Sequence, residues 1–188
     1  EIWIGSSNRG IYRIKNNIIY SSYKKQPDLI KNVSEIYITK NDYVIFGGTN
    51  GTVYIARFIA DSLQVRCKIS RREGLNGQAI SWMRTSNNDE FLWIATNTGL
   101  NRLNLKKLLK THQFEFNFYN TSEGLESLNV GCSTIDDDGN LWAGSNSGLV
   151  RINTHENEVQ KSAQSKIILS RFEVNNTPIH HLYPKDID

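Results

Sequence analysis

Apolar and polar residues alternate over short segments through most of the chain, and clusters of Gly, Asn, Asp and Ser separate the segments. This period-2 pattern predicts strands joined by turns. The pattern also repeats at longer range. Asn140 to Ile152 reads NLWAGSNSGLVRI, Phe91 to Leu103 reads FLWIATNTGLNRL, Glu1 to Ile14 reads EIWIGSSNRGIYRI, and Tyr43 to Ile55 reads YVIFGGTNGTVYI. Aligned on Trp3, Ile45, Trp93 and Trp142, the copies lie 42, 48 and 49 residues apart. A period of that size marks a propeller or solenoid array.

Each copy reads as a hairpin. In the last one, Leu141 to Ser145 and Leu149 to Ile152 are the predicted strands, and Asn146, Ser147 and Gly148 supply a turn in which Gly takes the positive-φ position. Asn97, Thr98 and Gly99 repeat it, while the first copy carries one residue more between Trp3 and Gly10, to be absorbed by a longer loop or a bulge. A further strand is expected upstream at Val33–Thr39, Ile80–Thr85 and Val130–Ile135, and another downstream at Ile18–Ser22, Leu63–Ser70 and Phe114–Tyr119. Four antiparallel strands per repeat make a propeller blade. The fourth blade's outer strand is expected near Glu158–Ser162, and Lys106–His112 as a helical turn at the rim of the third blade, a solvated charge run.

The first copy opens at its Trp strand, so the array is expected to be cut: a segment of a longer propeller, or one whose ends partner chains cover. From Lys166 the anchor Trp and the blade-spaced Gly are missing. Ile167 to Ile179, IILSRFEVNNTPI, reads as a strand, an Asn-Asn turn and a second strand limited by Pro178, with the boundary near residues 160–165. The predicted fold is all-β: a partial β-propeller of four-stranded antiparallel blades over residues 1–165, followed over 166–188 by the first strands of a β-sandwich.

Composition narrows the class. A hydrophobic content of 38% with 22% charged residues suits a globular domain, and the net charge of +3 comes from 22 basic and 19 acidic residues interspersed along the chain, without the basic stripe nucleic acid demands. No apolar run is long enough to cross a bilayer, and the N-terminus does not read as a signal peptide. Cys67 and Cys132 stand 65 residues apart without CxxC or Cys/His spacing, which predicts buried free thiols and no structural metal.

Two landmarks complete the repeat: Glu73-Gly74-Leu75 and Glu123-Gly124-Leu125, 50 residues apart. Each unit then runs EGL, a strand, a polar turn, LWxA/G and GLxRL/I. This resembles the two-component regulator propeller repeat found in the sensor ectodomains of bacterial hybrid two-component systems, and the segment after Lys166 resembles the immunoglobulin-like, three-tyrosine sandwich that follows those propellers. Copy two departs from the pattern, lacking the Trp and the Arg of GLxRI. The resemblance implies a periplasmic ligand sensor, part of an inner-membrane protein, whose histidine kinase and response-regulator parts lie outside this chain. It further implies an oligosaccharide or other small polar ligand, a homodimer in the full-length receptor, membrane attachment only through downstream parts, and no nucleic-acid partner for this segment.

Residues common to all copies are expected to be structural. Trp3, Trp93 and Trp142 recur as sheet-to-sheet packing, and Arg13, Arg102 and Arg151 as a repeated ion pair or strand-edge contact. Asp136, Asp138 and Asn140 begin like a calcium loop, but Leu141 stands where Gly is required and Ser147 where the closing acid belongs, leaving a hairpin turn. The same stretch partly matches the Asp-box of sialidase propellers, with Asp137, Gly139 and Trp142 in place and Ile135 where Ser or Thr belongs. His112, His155, His180 and His181 lack metal-site or phosphoacceptor context, and nothing in the sequence pairs Glu73, Glu123 or Asp89 across a cleft as glycoside hydrolysis requires. No catalytic residue, metal or cofactor is assigned.

Function is therefore expected where the copies disagree, in the loops beside each EGL, which in a propeller share one face around the central channel. The candidate ligand-binding residues are Arg71, Arg72, Asn76, Gln78 and the blade-specific Trp82 from one repeat, and Glu126, Ser127 and Asn129 from the next. Arg, Asn, Gln and an aromatic suit a polar or anionic sugar through bidentate and stacking contacts. The rival readings are a glycan-active Asp-box propeller enzyme and a protein-binding propeller scaffold.

Overall fold

The alternating segments do form strands. The structure, a computed structural model, describes residues 1–22, 31–125, 127, 129–154, 173–174 and 177–178. Blade 1 contains β1 (Ile2–Ser6), β2 (Gly10–Lys15) and β3 (Ile18–Ser21). Blade 2 contains β4 (Glu35–Ile38), β5 (Tyr43–Gly47), β6 (Val53–Ile59) and β7 (Ser62–Ile69). Blade 3 contains β8 (Ile80–Thr85), β9 (Phe91–Thr96), β10 (Gly99–Asn104) and β11 (Phe116–Tyr119), and blade 4 contains β12 (Val130–Ile135), β13 (Leu141–Ser145) and β14 (Gly148–Ile152). Within every blade consecutive strands pair antiparallel, and blade 1 has its Trp strand at the sheet edge. The outer strand expected for blade 4 falls outside the described residues.

The chain divides into two compact units, residues 1–157 and 158–188. In the second, β15 (Glu173–Val174) and β16 (Thr177–Pro178) pair antiparallel; the Asn-Asn turn between them and the boundary expected at 160–165 fall outside the described residues. Between β10 and β11 runs α1 (Leu105–Thr111), which buries Leu105 and Leu108 and leaves Lys106 and Lys110 exposed, so the charge run is solvated. Asn104 caps it by accepting the Lys107 N–H at 2.9 Å.

Turn chemistry sets each register. Ser145 faces Gly148 and Thr96 faces Gly99 across two-residue turns, while three residues separate Ser6 from Gly10. The extra residue of the first copy thus enlarges the loop without a bulge. Gly99 has φ +128°, and a Cβ there would lie 2.3 Å from the Tyr119 carbonyl oxygen, so the turn glycine is required by space as well as by dihedral. At the opposite end of the blades, the turn between the first and second strands is closed by a side-chain oxygen: Thr39 accepts the Tyr43 N–H, Ser86 the Phe91 N–H and Asp136 the Asn140 N–H. These turns are tied in series, since Lys40 Nζ donates to the Asn87 carbonyl at 2.6 Å and Asn87 Nδ2 to the Asp136 carbonyl at 3.2 Å.

Packing between blades is directional. The anchor of one blade faces forward, and the residues on either side of it face back onto the preceding blade. Ile45 packs with Leu92 and Ile94 of blade 3, and Trp93 packs with Leu141 and Ala143 of blade 4. Trp3 packs beside Val44 and Phe46 of blade 2, meeting Phe58 edge-on at 5.6 Å between ring centroids. The backward-facing residues of blades 2, 3 and 4 are completely or almost completely buried, whereas their counterparts in blade 1, Ile2 and Ile4, are 59% and 43% exposed. At the other end Trp142 is half-buried and Leu149 is 65% exposed.

The recurring arginines make a different contact from the one expected. Arg13 pairs with Glu1, but Arg102 and Arg151 have no such ion pair among the described residues. What the three share is a place directly across the hairpin from the anchor, where the guanidinium lies 5.4, 5.8 and 5.9 Å from the ring centroid of Trp3, Trp93 and Trp142. Such cation–π contacts contribute about 0.5–2 kcal/mol. Blade 2 pairs Ile45 with Ile55 at that register and moves the stack to Arg57 over Tyr43, at 4.2 Å. Both members of the pair change together. The thiols also depart from expectation: Cys67 is half-buried, with burial pushing its pKa up, and Cys132 is exposed on the innermost strand of blade 4.

Two outcomes follow for the anchors. Trp93→Ala empties the core between blades 3 and 4 and should cost about 3–5 kcal/mol, whereas the half-exposed Trp142→Ala should cost roughly 1–2 kcal/mol, both measured by denaturant unfolding of the chain. Asp136 accepts hydrogen bonds from Trp142 Nε1 at 2.7 Å and from the Asn140 side chain and N–H, and these hold its carboxyl below the ordinary value of 3.8 against the opposing effect of burial. A depressed folded-state pKa gives stability that is complete above the unfolded value and disappears as pH falls through the folded one. Asp136→Asn should therefore lower the melting midpoint at neutral pH and flatten its decline on acidification below 3.8; an unchanged acid limb would contradict this role.

Candidate ligand-binding face

Each residue of the EGL motif has a structural role. Arg71–Glu73 and Thr121–Glu123 each form a single turn of 3-10 helix, capped by Ser70 and Asn120. The Glu closes a capping box: Glu73 accepts the Ser70 N–H at 2.8 Å and its hydroxyl at 2.6 Å, and Glu123 accepts the Asn120 N–H at 3.0 Å. The Ser70 hydroxyl leads the contacts that hold the Glu73 carboxyl below its ordinary pKa. Gly74 and Gly124 end the turns in left-handed conformation at φ +106° and +95°, and Leu75 and Leu125 plug the blade core. Asp89 is committed as well, accepting from the Thr85 hydroxyl at 2.6 Å and the Lys40 N–H at 2.7 Å. All three carboxylates weighed for glycoside hydrolysis thus carry hydrogen bonds that hold local backbone or turn structure.

The backbone after Leu75 is held by blade 3. Asn101, fully buried on β10, accepts the Asn76 N–H at 2.8 Å and donates to the Asn76 carbonyl at 2.9 Å; Thr96 donates to that same carbonyl. Asn97 Oδ1 accepts the N–H groups of Gln78 and Ala79 at 2.8 and 3.3 Å. Gly77 fits because it lacks a side chain: with φ +110°, a Cβ would lie 2.3 Å from Thr96 Oγ1. The polar backbone of the link is thus satisfied from below, while the side chains of Asn76 and Gln78 remain exposed and without hydrogen-bond partners among the described residues.

Between this link and the blade 2 hairpin loop lies an open cleft of about 450 Å³, lined by Thr49, Asn50, Gly51, Thr52, Ser70, Arg71, Gly77 and Gln78. Gly51 makes the close approach possible, since a Cβ would come within 2.4 Å of the Gln78 carbonyl oxygen. Of the expected site residues, Arg71 and Gln78 line the cleft, and Arg72 and Asn76 are exposed on the same link outside its lining. Trp82 sits elsewhere, 4% exposed in the core shared by blades 3 and 4 with Trp93, Leu125 and Leu141, and so has no open face for stacking. In the next link Ser127 is half-buried, with its hydroxyl accepting the Asn129 N–H at 3.2 Å, and Asn129 is exposed; neither lines the cleft, and Glu126 falls outside the described residues.

Thr49, Asn50 and Thr52 were not among the expected residues. The anchor-to-Gly spacing gave no signal for them, being six residues in copies two, three and four; the structure leaves five residues between paired Gly47 and Val53, where blades 3 and 4 have two. Asn101 was legible as a difference between copies, an interior strand position that holds Val150 in blade 4. Asn101→Ala leaves the Asn76 N–H without its partner and the carbonyl with Thr96 alone, which should cost about 1–3 kcal/mol and speed amide hydrogen exchange at residues 76–79 selectively; uniform exchange across the blade would contradict the latch.

No protein-family model matches the chain, and comparison with curated proteins returns no match. Solved structures do match. The extracellular domain of BT3049 from B. thetaiotaomicron, described as a hybrid two-component system, aligns at TM-score 0.62 and 24% identity over 78% of this chain and 19% of its own. The extracellular domain of BT4673 from the same organism, described as a one-component system in one structure and a hybrid two-component system in another, aligns at 0.60 and 0.62, with 17% and 18% identity. These alignments cover 81% and 82% of this chain and 21% of BT4673. The WD40 propeller domain of Doa1 aligns at 0.61 with 11% identity over 82% of this chain and 47% of that one. The chain thus spans about a fifth of the ectodomains it matches. At these identities the likeness is one of fold: this chain is built of β-propeller blades like those in the extracellular domains of two-component systems.

Proposed function

We propose that this chain is a segment of a periplasmic, ligand-sensing propeller in a two-component receptor, and that its loop face takes up an oligosaccharide. The observation that carries the reading is the cleft beside the first EGL link, where backbone groups are satisfied from within and Arg71, Gln78 and Asn50 offer polar groups outward. The fold shared with two-component ectodomains supports it. Ile2 and Ile4 at one end and Leu149 at the other carry apolar surface of the kind neighbouring blades bury, which supports continuation of the array into further blades. Residues 166–188 are read as the opening of the sandwich that passes the signal through the membrane to a histidine kinase in a homodimeric receptor. Ligand need contribute only a coupling free energy of about 1–3 kcal/mol to shift such a switch.

The test is thermal unfolding of the whole ectodomain against a panel of oligosaccharides. At a hundredfold excess over Kd, a bound sugar stabilises the folded state by about 2.7 kcal/mol, and at least one member should raise the midpoint accordingly. Gln78→Ala combined with Asn50→Ala should remove that response, read against the double variant's own unliganded midpoint, since Asn50→Ala also loses the bond to the Thr52 N–H. A panel without any responder would sink the saccharide reading, and an undiminished response in the double variant would move the site elsewhere.

A further inference from the structure

The hydrogen-bond balance of the cleft is uneven. The Thr49 hydroxyl oxygen accepts from Asn32 Nδ2 at 3.0 Å, leaving its own hydrogen to donate. Asn50 Oδ1 accepts the Thr52 N–H at 3.2 Å, so what the Asn50 side chain has left to give is its amide N–H groups. The Ser70 hydroxyl is used up between Glu73 and the Arg72 N–H. Arg71 brings a guanidinium with no ion pair or hydrogen bond among the described residues, and Gln78 brings the one uncommitted side-chain carbonyl, accompanied by its own N–H groups. Free donors therefore outnumber free acceptors.

Charge is uneven in the same direction. No carboxylate lines the cleft, and the acid nearest in sequence, Glu73, is folded back into its capping box. No aromatic ring lines it either, because Trp82 and Trp93 are both in the core between blades 3 and 4. A neutral sugar held by stacking would find no platform here. A ligand rich in oxygen acceptors and carrying negative charge would match what is offered, and the volume of about 450 Å³ lies within the range of small-ligand sites.

We propose that the cleft between the loop Gly48–Thr52 and the link Ser70–Gln78 selects acidic saccharides, seating an oxyanion of the sugar on Arg71 with Asn50 and Gln78 donating beside it. This rests on the reading of the loop face as a saccharide site. The oxyanion is a uronate carboxylate or a sulfate ester, and the guanidinium fork suits either. Selectivity comes from charge and donor count, without ring stacking.

Calorimetric titration of the intact ectodomain with matched pairs tests it: trigalacturonate against its fully methyl-esterified form, and sulfated glycosaminoglycan disaccharides against their desulfated, carboxyl-reduced forms. In at least one pair the acidic member should bind about tenfold or more tighter than its neutral twin, and Arg71→Gln should remove about that factor. The acidic member's affinity should also fall as salt rises from roughly 50 to 300 mM. Titration of the desulfated disaccharides that keep their carboxylate then tells carboxylate from sulfate. Arg71 is exposed and uncommitted, so the variant should keep the wild-type melting midpoint, and Arg72→Gln should bind as wild type. Equal binding of charged and neutral twins, or an Arg71→Gln variant with unchanged affinity, would overturn the charge selection and leave saccharide sensing standing. Failure of every pair to bind, with a responder elsewhere in the oligosaccharide panel, would overturn this inference and leave saccharide sensing standing; no responder in either experiment would remove both.

Discussion

Forward packing of one anchor residue onto the back of the next blade is the contact on which the array depends. A single antiparallel sheet buries too little apolar surface to be stable alone, so each blade is completed only by its neighbour. Trp93 shows the contact in full, with its ring inside a core assembled from two sheets. In blade 3 the guanidinium of Arg102 lies over both Trp93 and Phe91, two residues before the anchor, and in blade 2, where the anchor is Ile45, the stack is kept two residue pairs away as Tyr43 and Arg57. A repeat can therefore lose its most conspicuous residue and keep its architecture. Ile2, Ile4 and Leu149 are interior positions by the same pattern and are exposed, with no further blade against them among the described residues.

Links between blades obey a second constraint. A chain leaving the outermost strand must reach the innermost strand of the next sheet without stranding its polar backbone. The capped 3-10 turn solves this in six residues, four of which carry it: a side chain to accept the first N–H groups, a Glu to answer it, a Gly to turn left-handed and a Leu to anchor the end. Glu in this motif is consumed by the backbone. The hydrogen bonds fix where each carboxylate points and favour its ionised form at Glu73.

Much of this was legible from residues alone. Strand positions followed from alternation and the turn glycines, since a period of two leaves one face to bury and one register to choose. The blade count followed from the spacing of the anchors. What the pattern could not supply was direction, meaning which neighbour a side chain addresses. Trp82 stood out because the copies differ there, and that difference turned out to fill space beside Trp93 and Leu141, a packing solution particular to one interface. Uniqueness within a repeat marks a local requirement, and the requirement is as often a gap in the core as a ligand. The loop Gly48–Thr52 carried the converse lesson, since Ile45 to Gly51 spans six residues as in copies three and four, and its greater length emerged only from the strand pairing and from Gly51 set against the Gln78 backbone.

Division of labour on the loop face explains how a rigid scaffold can carry a variable site. Asn97, Asn101 and Thr96 belong to the hairpin of blade 3, and together they satisfy the backbone of the link from Asn76 to Ala79. With the backbone fixed from below, the side chains above it are released from structural work, and residues such as Asn76 and Gln78 can change without cost to the fold. Blade 4 lacks the buried asparagine, holding Val150 there, and its link carries Ser127 where the first has Gly77. The cleft draws on the latched link and not on the other. A backbone fixed in this way lowers the ordering entropy that binding at the proposed site would have to overcome, and it leaves the exposed side chains free to vary from one copy to the next.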